Sequence, residues 1–170
     1  MLYQLPNIGF IEQKLSNTAI NKLKEFIQEN EQKDMRSVLA GNINSSLALV
    51  DKDNWFFENV LSDIINDYRK GSILKIIPEV LTKNCKFKLN QFWVNYQKKY
   101  EFNPTHHHGG VFSFVVWIKI PSSYEDEKNL NFTKNSNSPR AGCFEFSYTD
   151  ILGKFNTYTY KLNSEYENTI

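Results

Sequence analysis

The spacing of apolar residues changes once along this chain, near residue 85. Before that point, apolar side chains recur every three or four residues over about 18–32 and again over about 53–70, which predicts two amphipathic helices. After it, apolar and polar side chains alternate, which predicts strands whose two faces differ chemically. A chain with this order is expected to form helices first and a sheet afterwards.

The predicted helices have recognisable ends. Ser16 or Asn17 can cap the first helix, because a short polar side chain there can accept a hydrogen bond from a free backbone N–H. Asp51 or Asp53 lies near the start of the second helix, and Gly71 is expected to end it. Both helices carry an apolar stripe, which we expect to be buried in the core.

The second half of the chain divides into segments by composition and alternation. In order, we predict a long strand from Cys85 to about Gln97, a central strand over 111–121 ended by Pro121, a surface loop over 122–140, and a hairpin of 141–148 with 154–162. Gly153 lies in the hairpin loop, where glycine can adopt positive φ. With 170 residues and 41% hydrophobic content, the chain is expected to form a single domain, 1–170, helical over about 1–84 and strand-rich over about 85–170.

Composition excludes several classes of protein. The formal net charge is +1, which gives no reason to expect nucleic acid or another polyanion as a partner. Cys85 and Cys143 match neither a disulfide framework nor a zinc motif, and no apolar run is long enough for a membrane span. We therefore expect a cytoplasmic protein whose cysteines are buried and inert.

All three histidines of the chain are adjacent, at His106, His107 and His108. On an extended segment the first and third point to the same side, so His106 and His108 can bind one metal ion while His107 faces away. A non-haem Fe(II) site needs two or three protein ligands on one face of the metal. The alternative is a polar turn that happens to contain histidines.

The residues around the triplet resemble a known family. Trp93-Val94-Asn95, then Asn103-Pro104-Thr105 and the histidines, then the apolar segment 111–121, are similar to the 2-oxoglutarate/Fe(II) oxygenases that are abundant in marine bacteriophages. The blocks 39–43 and 142–146 are similar to further parts of that family, so the resemblance runs from about residue 39 onward. It implies a double-stranded β-helix, also called a cupin-like jelly-roll, and a cytoplasmic location in an infected bacterial cell.

The resemblance also implies a chemistry. Fe(II) and the co-substrate 2-oxoglutarate would hydroxylate a substrate, either a protein or a small molecule, with ascorbate as a possible support. His106 and His108 are the implied metal ligands. Asn95, Tyr96 and Ser113 are candidates for binding the co-substrate, although each could equally be an ordinary sheet residue.

The sequence departs from the family after His108. Relatives carry a later strand with a distal histidine, followed by an arginine that pairs with the far carboxylate of 2-oxoglutarate. Here no histidine follows His108, and the only later arginine is Arg140. The ending 162–170 resembles the turn before that strand, so a truncated and inactive oxygenase is one expectation. The alternatives are a non-catalytic jelly-roll that binds a partner or associates with a virion, and a small cupin-like metal protein; self-association also stays open.

Overall fold

The computed structural model describes residues 9–29, 33–70, 86–150 and 152–170. These residues group into two compact units, and each unit is built from segments that are distant in sequence. One unit takes the described parts of Met1–Leu15, Tyr68–Leu81 and Val115–Ile170, and the other takes those of Ser16–Asp67 and Thr82–Phe114.

Helix α1 spans Asn17–Glu29 and confirms the first predicted helix as far as Glu29, since residues 30–32 lie outside the described residues. Of the two predicted caps the structure selects Ser16, whose Oγ accepts a hydrogen bond from the backbone N–H of Ala19 at 3.2 Å. The predicted apolar stripe of this helix is its buried face, made of Ala19, Ile20, Leu23 and Phe26.

The second predicted helix is also present, and three kinds of helical turn follow one another along it. A 3-10 turn at Lys52–Asn54 leads into a π-helical turn at Phe57–Leu61 and then into helix α2, Ser62–Lys70. The carboxylate of Asp51 caps the start, accepting hydrogen bonds from the backbone N–H groups of Phe56 at 2.7 Å and Phe57 at 2.9 Å. Gly71, the predicted end of this helix, lies outside the described residues.

The long strand predicted from Cys85 to Gln97 is wrong in its length. Only β2, Trp93–Asn95, is a strand among the described residues of that stretch, and it pairs antiparallel with β1, Ser46–Ala48. A strand continues only while a neighbour offers backbone hydrogen bonds, and the partner here is three residues long. Alternation in the sequence therefore did not predict the length of the paired segment.

The central strand predicted over 111–121 is likewise wrong. Within it the backbone pairs at Trp117, whose N–H donates to Thr169 at 3.1 Å and whose carbonyl accepts from Asn168 at 2.6 Å. The apolar character of the segment comes from side-chain packing: the ring of Phe112 meets Phe87, and that of Phe114 lies near Phe56. The apolar side chains of this segment therefore pack against other aromatic residues without forming a sheet.

The predicted surface loop over 122–140 contains a short helix, α3, at Tyr124–Glu127. The side chain of Ser123 accepts from the backbone N–H of Asp126 at 3.2 Å, and the carboxylate of Asp126 accepts from the backbone of Ser123, also at 3.2 Å. This capping box explains the charge run, because acidic residues are favoured in the first turn of a helix. Tyr124 is buried, so the segment is not merely a solvated loop.

The predicted hairpin is confirmed. Strands β3, Cys143–Thr149, and β4, Phe155–Lys161, pair antiparallel over seven residues each. Gly153 in the turn has φ +81°, the positive value that the sequence predicted for it. Cys143 is a free, half-buried thiol whose pKa is raised by burial, in keeping with the expected inert cysteine, whereas Cys85 lies outside the described residues.

The two sheets are separate, and each has two strands. The predicted order of helices before strands is wrong for β1, which lies between the two helices in sequence, and the described residues do not display the closed double-stranded β-helix. The segment 162–170, expected to be a turn, forms a 3-10 turn at Ser164–Tyr166 and a further turn in which Asn168 has φ +61°. After it, Ile170 exchanges two backbone hydrogen bonds of 3.0 Å with Gln13.

Candidate metal centre

The candidate site begins at the β1–β2 ladder, which pairs Ala48 with Trp93 and Ser46 with Asn95. Side chains two positions apart on a strand share a face, so Trp93 and Asn95 lie on one face of β2. The ring of Trp93 stacks against that of His108, with 5.9 Å between centroids and 29° between planes. The ladder thus provides a rigid aromatic support for one of the two candidate ligands.

After β2 the chain turns back at residues 98–101. The carboxylate of Glu101 accepts hydrogen bonds from the backbone N–H groups of Lys98 at 2.7 Å and Asn44 at 3.0 Å. Those bonds, the one from Lys98 first, lower the pKa of Glu101 because they stabilise the charged carboxylate. Phe102 then exchanges backbone hydrogen bonds with Asn42, so the returning chain is fixed beside the segment that precedes β1.

His106 and His108 approach each other on this returning chain, as their spacing predicts. The two Nε2 atoms are 3.0 Å apart and the ring planes are inclined by 74°. All three histidines are exposed, so a dissolved ion can reach the pair.

A backbone carbonyl orients the ring of His106. Its Nδ1 lies 2.7 Å from the carbonyl oxygen of Pro104. Because a carbonyl oxygen only accepts, the proton of the neutral ring must be on Nδ1, and Nε2 keeps its lone pair. Metal-binding histidines commonly donate their second ring N–H to such a carbonyl.

His108 is biased toward its neutral form. Partial burial is the main cause that lowers its pKa, followed by the positive charges that His106 and His107 would carry if protonated. A neutral imidazole is the form that binds metals, so the surroundings of His108 favour a ligand role.

The structure does not bring the candidate co-substrate residues together as it does His106 and His108. Asn95 is exposed on the face of β2 that carries Trp93, whereas Tyr96, 43% exposed, follows it on the alternate face. Ser113 is exposed, between two phenylalanines that pack into the unit. Within the described parts of the chain, the structure brings together His106 and His108 and adds Trp93, which sequence reasoning did not assign to the site.

A third ligand and a carboxylate-binding cation are the remaining requirements of the implied chemistry. Among the described residues, no group of three or more His, Cys, Asp or Glu side chains is arranged to hold a metal ion. The guanidinium of Arg140 forms an ion pair with Glu145 and donates to the hydroxyl of Thr159 at 3.0 Å. Arg140 is therefore already engaged by side chains of the hairpin.

Contacts between distant segments supply the features that the sequence did not reveal: the Trp93 ring against His108, the Glu101 carboxylate against Asn44, and the side chain of Asn103 against Gly41. Spacing within one segment of the sequence cannot predict contacts with a distant segment.

No protein-family model, curated protein sequence or solved structure matches this chain. The described helices include none that is long and apolar enough to cross a membrane.

Proposed function

We propose that His106 and His108 bind one Fe(II) ion and that the chain is a 2-oxoglutarate-dependent dioxygenase of the double-stranded β-helix class. The observation that carries the metal site is the 3.0 Å between the two Nε2 atoms, together with the carbonyl that holds the proton of His106 on Nδ1. The oxygenase class comes from the sequence resemblance around this pair.

The separation of the two nitrogens allows both to bind one ion. With metal–nitrogen bonds of about 2.1 Å, two nitrogen ligands of one ion lie within about 4.2 Å of each other, and the two Nε2 atoms are 3.0 Å apart. His106 and His108 would therefore hold Fe(II) together, and the ion would supply redox chemistry there. The same distance also suits a single N–H···N hydrogen bond between the two rings.

The donor set therefore fits two of the protein ligands that Fe(II) requires. Once bound, Fe(II) with 2-oxoglutarate would supply the oxidising power to hydroxylate a C–H bond of a protein or small-molecule substrate, with ascorbate as a supporting reductant. Asn95, Tyr96 and Ser113 are exposed and offer an amide and two hydroxyl groups, and we assign them to the co-substrate. Arg140 is not assigned to its far carboxylate, because Glu145 already neutralises it.

Metal titration tests the site. Co(II), whose absorption spectrum reports its coordination, and anaerobic Fe(II) should each bind one equivalent to the wild-type protein. Replacing either His106 or His108 by alanine should weaken binding by at least about 100-fold, because one nitrogen ligand is lost from a site with few. His107→Ala, a matched change in the same triplet, should keep wild-type affinity, and equal loss in all three variants would contradict the assignment.

Succinate release tests the reaction. Because no third ligand is arranged beside the pair among the described residues, wild-type protein with Fe(II), ascorbate and 2-oxoglutarate should release little succinate, and the two ligand variants should release none. Metal binding without any succinate, in the presence or absence of bacterial cell extract as a substrate source, would instead support a non-catalytic metal-binding module. Failure to bind either metal would overturn the proposed function altogether.

A further inference from the structure

The candidate metal pair lies in an exposed part of the chain that carries no charge. Residues 102–118 contain no Asp, Glu, Lys or Arg, although such residues make up 23% of the chain. Each of residues 102–111, which we call the uncharged loop, is exposed, including the apolar side chains of Phe102 at 54% and Val111 at 45%. Depletion of charged residues is typical of the centre of a protein–protein interface. The uncharged loop is therefore suited to contact with another protein surface.

The ligand set of the pair is incomplete within the described chain. His106 and His108 offer two nitrogens, with their Nε2 atoms 3.0 Å apart. Among residues 9–29, 33–70, 86–150 and 152–170, no third His, Cys, Asp or Glu side chain is arranged with them to hold an ion. Zn(II) takes four ligands in structural protein sites, and imidazole is one of the ligands that it prefers. For such an ion, two further ligands remain to be supplied by another molecule.

A second copy of the chain carries what the pair lacks. In a two-fold contact the same patch meets itself, so two histidine pairs would bring four imidazole nitrogens to one ion. Both histidines are exposed and already converge, so binding requires little rearrangement. Two uncharged loops also approach each other without like-charge repulsion, and exposed apolar side chains such as Phe102 favour the contact.

We propose that the uncharged loop is a self-association surface on which one Zn(II) ion joins two chains, bound by His106 and His108 of each. A second copy is favoured over an unrelated partner because it brings the same two ligands and the same absence of charge. This inference rests on the metal pair of the proposed function and adds its regulation. In the joined form the pair is closed to Fe(II) and to 2-oxoglutarate, so that form is inactive.

Zinc titration followed by multi-angle light scattering tests the proposal on the untagged protein, since a polyhistidine tag would itself bind the ion. In EDTA the wild-type protein should be a monomer, and half an equivalent of Zn(II) should give twice the mass of one chain. A large excess of Zn(II) should restore monomers, because each pair then holds its own ion. Monomers at every zinc ratio, or a mass that grows with zinc and never reverses, would overturn the proposal.

Single substitutions in the triplet assign the ligands. His106→Ala and His108→Ala should each weaken zinc-dependent dimerisation by at least about 100-fold, beyond the range for groups that only orient a ligand, because every bridging ion loses two nitrogens. His107→Ala, the matched change, should dimerise as the wild type does. Equal loss in all three variants, or a dimer that persists in EDTA, would contradict a contact built on this pair.

A charge placed in the uncharged loop tests the protein contact separately from the ion. Val111→Lys keeps both histidines and sets like charges against each other across the two-fold contact. It should weaken dimerisation by about 3–10-fold at low salt and by less at high salt. Leu152→Lys adds the same charge in the hairpin turn, where the leucine is 90% exposed, and should leave dimerisation unchanged. An unaltered dimer in Val111→Lys would exclude the uncharged loop as the interface.

Failure of this inference and failure of the proposed function give different results. If Zn(II) joins two wild-type chains while Fe(II) binding and succinate release both fail, the proposed function is wrong and the self-association surface stands. If Fe(II) binds to single chains and half an equivalent of Zn(II) leaves a monomer, the proposed function stands and the self-association surface is wrong.

Discussion

The β3–β4 hairpin and the β1–β2 ladder are both antiparallel pairs, yet they are held together in different ways. In the hairpin, seven residues of each strand pair across one short turn, and aromatic residues such as Phe144 and Tyr160 face each other directly. In the ladder, three residues of each strand pair, and the strands lie far apart in sequence. The ladder depends on flanking contacts such as Glu101 to Asn44.

The difference teaches where the geometry of the histidine pair comes from. A hairpin gains its cross-strand contacts after closing a small loop, whereas the ladder must first close a long one, at a larger entropic cost. Its contacts therefore form only with the rest of its unit. The candidate ligands lie beside the ladder, so their geometry is a product of the whole unit rather than of the triplet.

Removing a buried aromatic ring should produce the largest difference in stability between the β1–β2 ladder and the β3–β4 hairpin. Phe56 is fully buried and stacks on Phe92 with 5.5 Å between centroids, just before β2. Phe56→Ala should lower the free energy of unfolding by about 3–5 kcal/mol, because it removes apolar contacts and leaves a cavity. Urea denaturation measures the loss, and hydrogen exchange should show the amides of β2 losing protection before those of β3.

Leu152→Ala is the matched control for that change. Leu152 is 90% exposed in the hairpin turn, so its replacement should alter the free energy of unfolding by no more than about 0.5 kcal/mol. If Phe56→Ala reduced the protection of β3 and β2 amides equally, the ladder would not depend on this packing more than the hairpin does.

Replacing Gly153 or Gly41 should change stability by a smaller amount. Gly153 has φ +81° with nothing within 4 Å of an added Cβ, so it is required by conformation, whereas a Cβ on Gly41 would meet mainly the end of the exposed Asn103 side chain, which can rotate. Gly153→Ala should cost about 1–2 kcal/mol of stability, since alanine resists left-handed backbone. Gly153→Asn should cost less, because asparagine tolerates that region better.

Denaturant unfolding and metal titration together distinguish the glycines. Gly153→Ala should lower stability without changing Co(II) affinity, and Gly41→Ala should lower stability by less, because its added methyl group meets a side chain that can rotate. An equal loss of stability in the two variants would contradict this distinction.

Lowering the pH should produce the smallest change in stability, through one carboxylate in the ladder unit and one in the hairpin turn. Hydrogen bonds lower the pKa of Glu101 in the ladder unit, mainly from Lys98, and that of Asp150 in the hairpin turn, mainly from Asn156. Because both folded pKa values are depressed, each carboxylate stabilises the fold above its unfolded pKa. That stabilisation is lost as pH falls below about 4.5 for Glu101 and 3.8 for Asp150, through their lowered folded values.

Carbon NMR of the two carboxyl groups, followed against pH, measures these pKa values. Glu101→Gln should remove the acid-dependent part of the stability that comes from the ladder unit, where Lys98 is the nearby charged side chain. A wild-type titration of Glu101 at or above 4.5 would show that the carboxylate does not hold the turn to Asn44.

Prediction from the sequence succeeded where the deciding contacts are local. The cap at Ser16, the cap at Asp51 and the positive φ of Gly153 each involve residues within a few positions, and all are present. It was wrong for the two long strands, because alternation reports extended backbone but not whether a partner strand lies alongside. The short helix α3 was missed although its capping box could be read at Ser123 and Asp126.

For the candidate site, the sequence by itself predicted that the side chains of His106 and His108 lie on one side of the chain, since alternation is a property of extended backbone. The hydrogen bond between His106 and the Pro104 carbonyl and the ion pair between Arg140 and Glu145 are also local, but residue order does not give their geometry. Only the tertiary structure decided that the Trp93 ring stacks on His108 and that the Glu101 carboxylate accepts from Asn44. Those contacts join separate segments of the chain, and they form only when packing brings the segments together.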